Sequence, residues 1–473
     1  MKKWYLPVLI IISILFIFLR LYKLPSSLLF FNDIGRDYWV LYNWQQTHKP
    51  PLLGPQTSAL PYNQSAVYFY LLMPLFLLTG QSPLASTFTL CLFTITGIGV
   101  LFWLTRKKPQ FQLPIAVTLF LMTIQPQAII QSRFVWNPSF VPISILVALV
   151  SWLLLLQSWQ KRYLFVFALS ATLAVSFNYS AAPALIAFIL LSGIYIKKKR
   201  NYFWFLATTA LAALFWNLPT VVFELRHKFL LTNMMLYQEK LTQTSTGWLE
   251  KTSDLFHYSL FGFGHLTEVV FILIALAGIL LLFKTKTKRE ATFGTPIVAM
   301  FGLTWFITLL VPFSVQAHYI FAFLIAGMFL ISILDKRILL GLVLIASVIW
   351  LRPSRLQAYF SPAYRSYEDS AACAARVCQA IDAPTFVSVQ SDLHPYHNGM
   401  EWKYLFARNG CDVKELDTQI SEANTMLVVV DHSEYTHGQT AYNELTQFGQ
   451  SNVSNLVDCS ESLKVVIIKK TNQ

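Results

Sequence analysis

The sequence predicts a polytopic α-helical membrane protein that ends in a small α/β domain, and three observations carry that expectation. The 473 residues are 55% hydrophobic and only 12% charged, against about a quarter charged in soluble domains. Mean hydropathy is +0.52, and apolar runs long enough to cross ~30 Å of hydrocarbon recur from residue 4 to residue 351. Beyond that point the texture changes. Residues 352–473 hold fourteen Asp and Glu against ten Lys and Arg, and no run there could span a bilayer. The short alternating segments of a β-barrel are absent.

The first apolar segment, "MKKWYLPVLIIISILFIFLRLY", starts like a signal peptide. It has no small-residue cleavage site, so it reads as a retained anchor. Orientation follows from the basic clusters: Lys2-Lys3, Arg106-Lys107-Lys108, Lys161-Arg162, 197–200, 284–289 and Lys336-Arg337. Placing all of them in the cytoplasm needs an even number of crossings between successive clusters. The apolar segments 4–22, 84–105, 112–130, 139–157, 163–178, 180–196, 202–220, 266–283, 294–313, 317–334 and 338–351 meet that condition. The expectation is therefore about eleven spans, with the N-terminus inside and the tail outside. The segment 65–80 is apolar but short and carries Pro74, so it is expected to lie in the outer interface.

In this threading Asp33, Asp37, Glu224, Glu239, Glu250, Asp254 and Glu268 all face outward, and only Glu290 and Asp335 face the cytoplasm. The net charge of +13 comes from loop bases before residue 352. It reflects orientation, and no nucleic-acid partner is implied. Chemistry is expected on the outer face, at loops that hold both acids and bases.

The first outer loop, 23–83, contains "FFNDIGRDYW". A carboxylate at a low-dielectric boundary suits proton acceptance, which makes Asp33 a candidate base. Asp37 would share its face on a helix, and Arg36 could grip an anion. The competing reading is two solvated carboxylates paired with Arg36 or Lys49. His48 and Lys49 precede Pro50-Pro51, where a cation could meet a lipid phosphate. "QSRFVWNPS" adds Arg133, "FELRHKF" adds Arg226, and "SVQAHYIF" adds His318 and Tyr319 at the same expected level. Structural pairing is the expected role of Glu224. Tyr38, Trp39, Tyr62 and Trp136 are aromatic rings that could pack on a sugar or a prenyl chain.

The acidic motif directly after the first span, "NDIGRDY", followed by "HKPPL", an interfacial segment, many spans and an outer tail, resembles the GT-C membrane glycosyltransferases. The nearest branch is the bacterial ArnT-like and protein-mannosyltransferase-like one, of the glycosyltransferase family 39 type. The resemblance covers about residues 1–350. It implies transfer of a sugar from a polyprenyl-phosphate carrier to an extracytoplasmic glycan, lipid or protein, at the cell membrane. Asp33 would match the family's first acid and Arg36 its arginine. Asp33 and Asp37 would be catalytic, and Arg36, His48, Lys49, Arg133, Arg226, His318 and Tyr319 would bind substrate. Ile34 stands where the family's second acid would be. No cofactor is demanded by these residues, and a divalent cation is the one candidate.

The tail reads as an α/β domain with strands at "TFVSVQS", "TMLVVVD" and "SLKVVIIKK", and helices at "GMEWKYLFARNGC" and "TAYNELTQFG". Four of the five cysteines, Cys373, Cys378, Cys411 and Cys459, lie here, and an even count outside the cytoplasm suggests disulfides. The preferred pairing is Cys373–Cys378 with Cys411–Cys459. Asp392, His394, His397 and Glu401 form a polar cluster after the first strand, best read as a strand-end loop. Two other classes of function stay open. A flippase or transporter of lipid-linked glycans would place charge inside its spans, and these are nearly free of it. A noncatalytic glycan-binding membrane protein would suit the missing second acid.

Overall fold

The computed structural model describes residues 2–57, 63–237, 247–264, 267, 294–311, 314–391, 399–432, 434–435 and 443–471. Apart from residue 267, the expected span 266–283 lies outside them, as do the basic run 284–289, Glu239, Glu268, Glu290, Tyr62 and the Asp392, His394 and His397 cluster.

In chain order the helices are α1 (Tyr5–Leu21), α2 (Leu24–Ser27), α3 (Asp33–Thr47), α4 (Val67–Leu78), α5 (Ala85–Thr105), α6 (Pro109–Ile124), α7 (Pro126–Arg133), α8 (Val141–Gln157), α9 (Lys161–Phe177), α10 (Ala182–Tyr195), α11 (Lys199–Trp216), α12 (Leu218–Arg226), α13 (Leu230–Tyr237) and α14 (Trp248–Ser259). They continue with α15 (Gly294–Leu310), α16 (Phe321–Ile331), α17 (Lys336–Trp350), α18 (Pro353–Phe360), α19 (Tyr367–Gln379), α20 (Met400–Arg408), α21 (Leu416–Gln419) and α22 (Asn443–Phe448). The strands are β1 (Leu53–Gln56), β2 (Asn63–Ser65), β3 (Thr385–Ser391), β4 (Thr425–Asp431), β5 (Ser451–Ser460) and β6 (Leu463–Lys470).

Two compact units divide the chain. One comprises Met1–Tyr22, Pro51–Leu72 and Ser86–Tyr359; the other comprises Lys23–Pro50, Met73–Ala85 and Phe360–Gln473. The loop that carries "FFNDIGRDYW" thus groups with the C-terminal residues.

In the first unit α8 is the central helix, with residues 141–155 buried all round. α9 packs on it, α11 on α9, α15 on α10, and α16 on both α6 and α8. The outward faces are apolar too: Ile10, Ile11, Ile14 and Phe18 of α1 are exposed. A helix that is hydrophobic all round suits a membrane solvent. Among the described residues, two helical stretches, 85–105 and 137–157, are long and apolar enough to cross a bilayer. The number rises to five if three bent pairs each count as one span: α6 with α7 (63°), α11 with α12 (67°) and α17 with α18 (51°). Each bend falls where the second helix has a proline at its first or second position, Pro126, Pro219 or Pro353. Proline lacks the N–H that would continue the ladder, yet its fixed φ suits a first turn. α4 has twelve residues, about 18 Å at 1.5 Å per residue, too short to span alone. β1 and β2 pair tightly at Gly54, where a Cβ would lie 2.2 Å from the Ser65 carbonyl oxygen.

The second unit has a four-stranded sheet in the order β3-β4-β6-β5. β3 and β4 run parallel, and β6 is antiparallel to both β4 and β5. β3 and β4 are buried on both faces, as expected of apolar runs in a covered parallel pair. β5 is an edge strand of mixed polarity with Val453 and Leu456 exposed, so it carries no clean alternation for a sequence pattern to detect. Disulfides join Cys373 to Cys459 and Cys378 to Cys411. This corrects the preferred pairing. Both Cys373 and Cys378 lie on α19, where five residues at 3.6 per turn set the side chains about 140° apart.

Candidate active site

Asp33 opens α3, preceded by Asn32 at φ 44° and ψ −101°. A non-glycine residue there is strained, and asparagine tolerates positive φ best. The turn fixes where the helix starts and so where Asp33 stands. One face of α3 is spent on packing. A Cβ on Gly35 would lie 2.4 Å from the backbone nitrogen of Glu401, so only glycine lets α3 approach the start of α20. Trp39 Nε1 donates to Glu415 Oε1 at 2.9 Å, and Lys403 Nζ donates to Glu415 Oε2 at 2.8 Å. Tyr38 is fully buried, donates to the Pro83 carbonyl at 2.8 Å, and packs edge-on against Phe30 and tilted against Phe76 and Tyr404. The structure thus commits Tyr38 to a buried aromatic core and removes it from the rings that could face a sugar. Burial holds the Tyr404 hydroxyl well above its ordinary pKa, so it stays protonated and donates to the Gln81 carbonyl.

The other face holds a charged trio. Arg36 Nη1 bonds Asp33 Oδ1 at 2.8 Å, while Nη2 and Nε bond Asp37 Oδ1 at 2.8 and 3.0 Å. The two carboxylates differ sharply in access: the Asp33 side chain is 34% exposed and that of Asp37 is 0% exposed. Asp37 holds the guanidinium from the buried side, and Asp33 is the more accessible of the two carboxylates. The arginine between them already supplies positive charge, so this pair does not fit a divalent cation. Among the described residues, no three His, Cys, Asp or Glu side chains come together to hold a metal. His48 ends α3 in the left-handed region (φ 55°), and His48 and Lys49 are both exposed.

The remaining candidates lie in the first unit. Arg133 sits at the C-terminus of α7 and is buried. Its Nη1 donates to the carbonyls of Leu19 and Arg20, both at 3.1 Å, and its Nη2 to that of Tyr22 at 3.2 Å. Arg20 returns the arrangement, with Nη1 on the Thr123 carbonyl at 2.6 Å and Nε on Ser132 Oγ at 2.8 Å. Arg133 satisfies carbonyls left over at the end of α1, and Arg20 one left over at the end of α6. Arg20 went unnoticed in the sequence, although a lone arginine inside an apolar run is itself a signal. Trp136 and His318, 182 positions apart, come together with ring centroids 4.7 Å apart, and His318 lies 4.5 Å from Tyr319. Arg226 is exposed at the end of α12. Glu224 is buried and accepts from the backbone N–H groups of Leu231 and Thr232 at 2.9 and 3.0 Å. It therefore caps the start of α13, where an ion pair was expected.

No known family pattern matches this sequence, and no curated protein matches it. The fold does have counterparts. The crystal structure of ArnT from Cupriavidus metallidurans in the apo state superposes with a TM-score of 0.62 at 12% identity, covering 98% of this chain and 97% of that one. The form of the same protein bound to undecaprenyl phosphate gives 0.58 at 11% identity, covering 99% and 98%. The chain therefore has the ArnT fold along nearly its whole length.

Proposed function

We propose that this protein is a multi-pass membrane glycosyltransferase that moves a sugar from a polyprenyl-phosphate carrier to an extracytoplasmic acceptor. The observation that carries this reading is the end-to-end likeness to ArnT, which has been solved with undecaprenyl phosphate bound. In the reaction, an acceptor hydroxyl attacks the anomeric carbon, Asp33 takes its proton, and the bond from that carbon to the phosphate oxygen breaks. The transition state has oxocarbenium character. The leaving polyprenyl phosphate gains charge, which exposed cations stabilise; Lys49 of the second unit and Arg226 of the first are both exposed and are the candidates for this role. Arg36 holds the Asp33 carboxylate in position, and His318 and Tyr319, beside Trp136, are the proposed substrate-binding pair of the first unit. About eleven spans, a cytoplasmic N-terminus and an extracytoplasmic C-terminal unit complete the reading.

Its test is transfer in membranes supplied with a polyprenyl-phosphate sugar. Asp33→Asn should lose transfer by roughly 100- to 10,000-fold, the usual share of a general base. Transfer at the parent rate would remove Asp33 from this role, and lipid-linked sugar that crosses the bilayer without transfer would favour a flippase.

A further inference from the structure

At the start of α9 the chain forms a second cationic site that sugar transfer does not use. Lys161 and Arg162 line a cavity of about 650 Å³ together with Trp159, Phe165, Trp204 and Thr208. That volume falls in the range of small-molecule sites. A cation at a helix start opposes the helix dipole, so neither residue is there to stabilise α9. Among the described residues neither forms an ion pair. Arg162 is nonetheless held in place: Nε donates to Gln160 Oε1 at 2.9 Å, Nη2 donates to the Tyr163 hydroxyl at 3.0 Å, and the guanidinium lies 5.8 Å from the Trp103 ring. A topogenic charge needs no such fixing. The cavity also leads onto exposed apolar surface, with Phe165 on α9 and Phe203, Leu211 and Phe215 on α11.

We propose that this groove binds an anionic glycerophospholipid. The phosphodiester sits between Lys161 and Arg162, the glycerol lies against the indoles of Trp159 and Trp204, and the acyl chains run along α11. Charge complementarity selects an anionic headgroup, and tryptophan is the side chain that favours the headgroup level. The expected cytoplasmic side of this cluster is also where anionic lipid concentrates. The proposal is independent of the glycosyltransferase reading, because its test reads lipid retention alone.

The experiment is native mass spectrometry of the full chain in nonionic detergent, titrated separately with phosphatidylglycerol, phosphatidylcholine and undecaprenyl phosphate. The parent chain should retain phosphatidylglycerol over phosphatidylcholine. Lys161→Gln with Arg162→Gln should weaken that retention roughly 30-fold, at about 1 kcal/mol per basic residue. Thr208→Trp should also abolish it by filling the cavity with both charges intact. Equal retention of the two phospholipids, an unaltered Thr208→Trp variant, or displacement of phosphatidylglycerol by equimolar undecaprenyl phosphate would overturn the proposal. If the double variant does not fold, photoreactive phosphatidylglycerol on the parent chain decides: labels at 159–165 or 203–208 support the site, and labels elsewhere refute it.

Discussion

The two compact units solve the same problem by different means. In the first, helices end inside apolar surroundings, where an unpaired carbonyl has no water to turn to. Long arginine side chains reach those carbonyls: Arg20 serves the break between α6 and α7, and Arg133 serves the end of α1. In the second unit the elements are tied by two disulfides, a buried Arg365–Asp431 ion pair and a cluster of aromatic rings around Tyr404. The comparison teaches how to read a charge in this chain. Buried arginine in the first unit is helix repair, whereas the half-buried Asp33 of the second has no packing task of that kind.

That contrast can be broken at several points. The largest effect is expected at Asp33: beyond the loss of transfer already given, Asp33→Asn should leave the thermal unfolding midpoint near that of the parent, measured by scanning calorimetry in detergent. Next come the disulfides. Replacing Cys373 and Cys459 by serine opens a separation of 86 residues, and chain entropy then predicts a loss of about 4.6 kcal/mol. The Cys378 and Cys411 pair spans 33, for about 3.7 kcal/mol; denaturant titration of the oxidised variants ranks the two. Arg133→Met should cost roughly 3 kcal/mol by orphaning three carbonyls, and unchanged stability would dismiss the helix-repair account. The smallest effect is expected at Gly35→Ala, about 1–3 kcal/mol from overpacking against Glu401, read as a lowered midpoint for the second unit. Transfer should fall with it if the α3–α20 contact positions Asp33.

Local chemistry was legible in the sequence. The apolar texture, the three strands of the tail and the acidic motif at 30–39 all announce themselves within short windows. What escaped was long-range. Gly35 is explained only by Glu401, and Trp39 only by Glu415, 376 residues away. Nothing near either residue encodes those partners. The cysteine pairing departs from the expectation for a different reason: Cys373 and Cys378 are near in sequence, but helical phase on α19 turns their side chains apart. β5 was missed because an edge strand in water needs no alternation. The span count is hard to read because proline-started bends divide apolar runs into pieces shorter than the bilayer.

The nested disulfide pattern has a consequence for biogenesis. Cys373 emerges from the ribosome before its partner Cys459, 86 residues further on, so under oxidising conditions it stands first beside Cys378, the wrong thiol. A nascent chain arrested before residue 459 should therefore carry either a reactive thiol or a mispaired bond, and an isomerase would have to rescue it. The outer bond of the nested pair can form only once β5, which carries Cys459, has emerged.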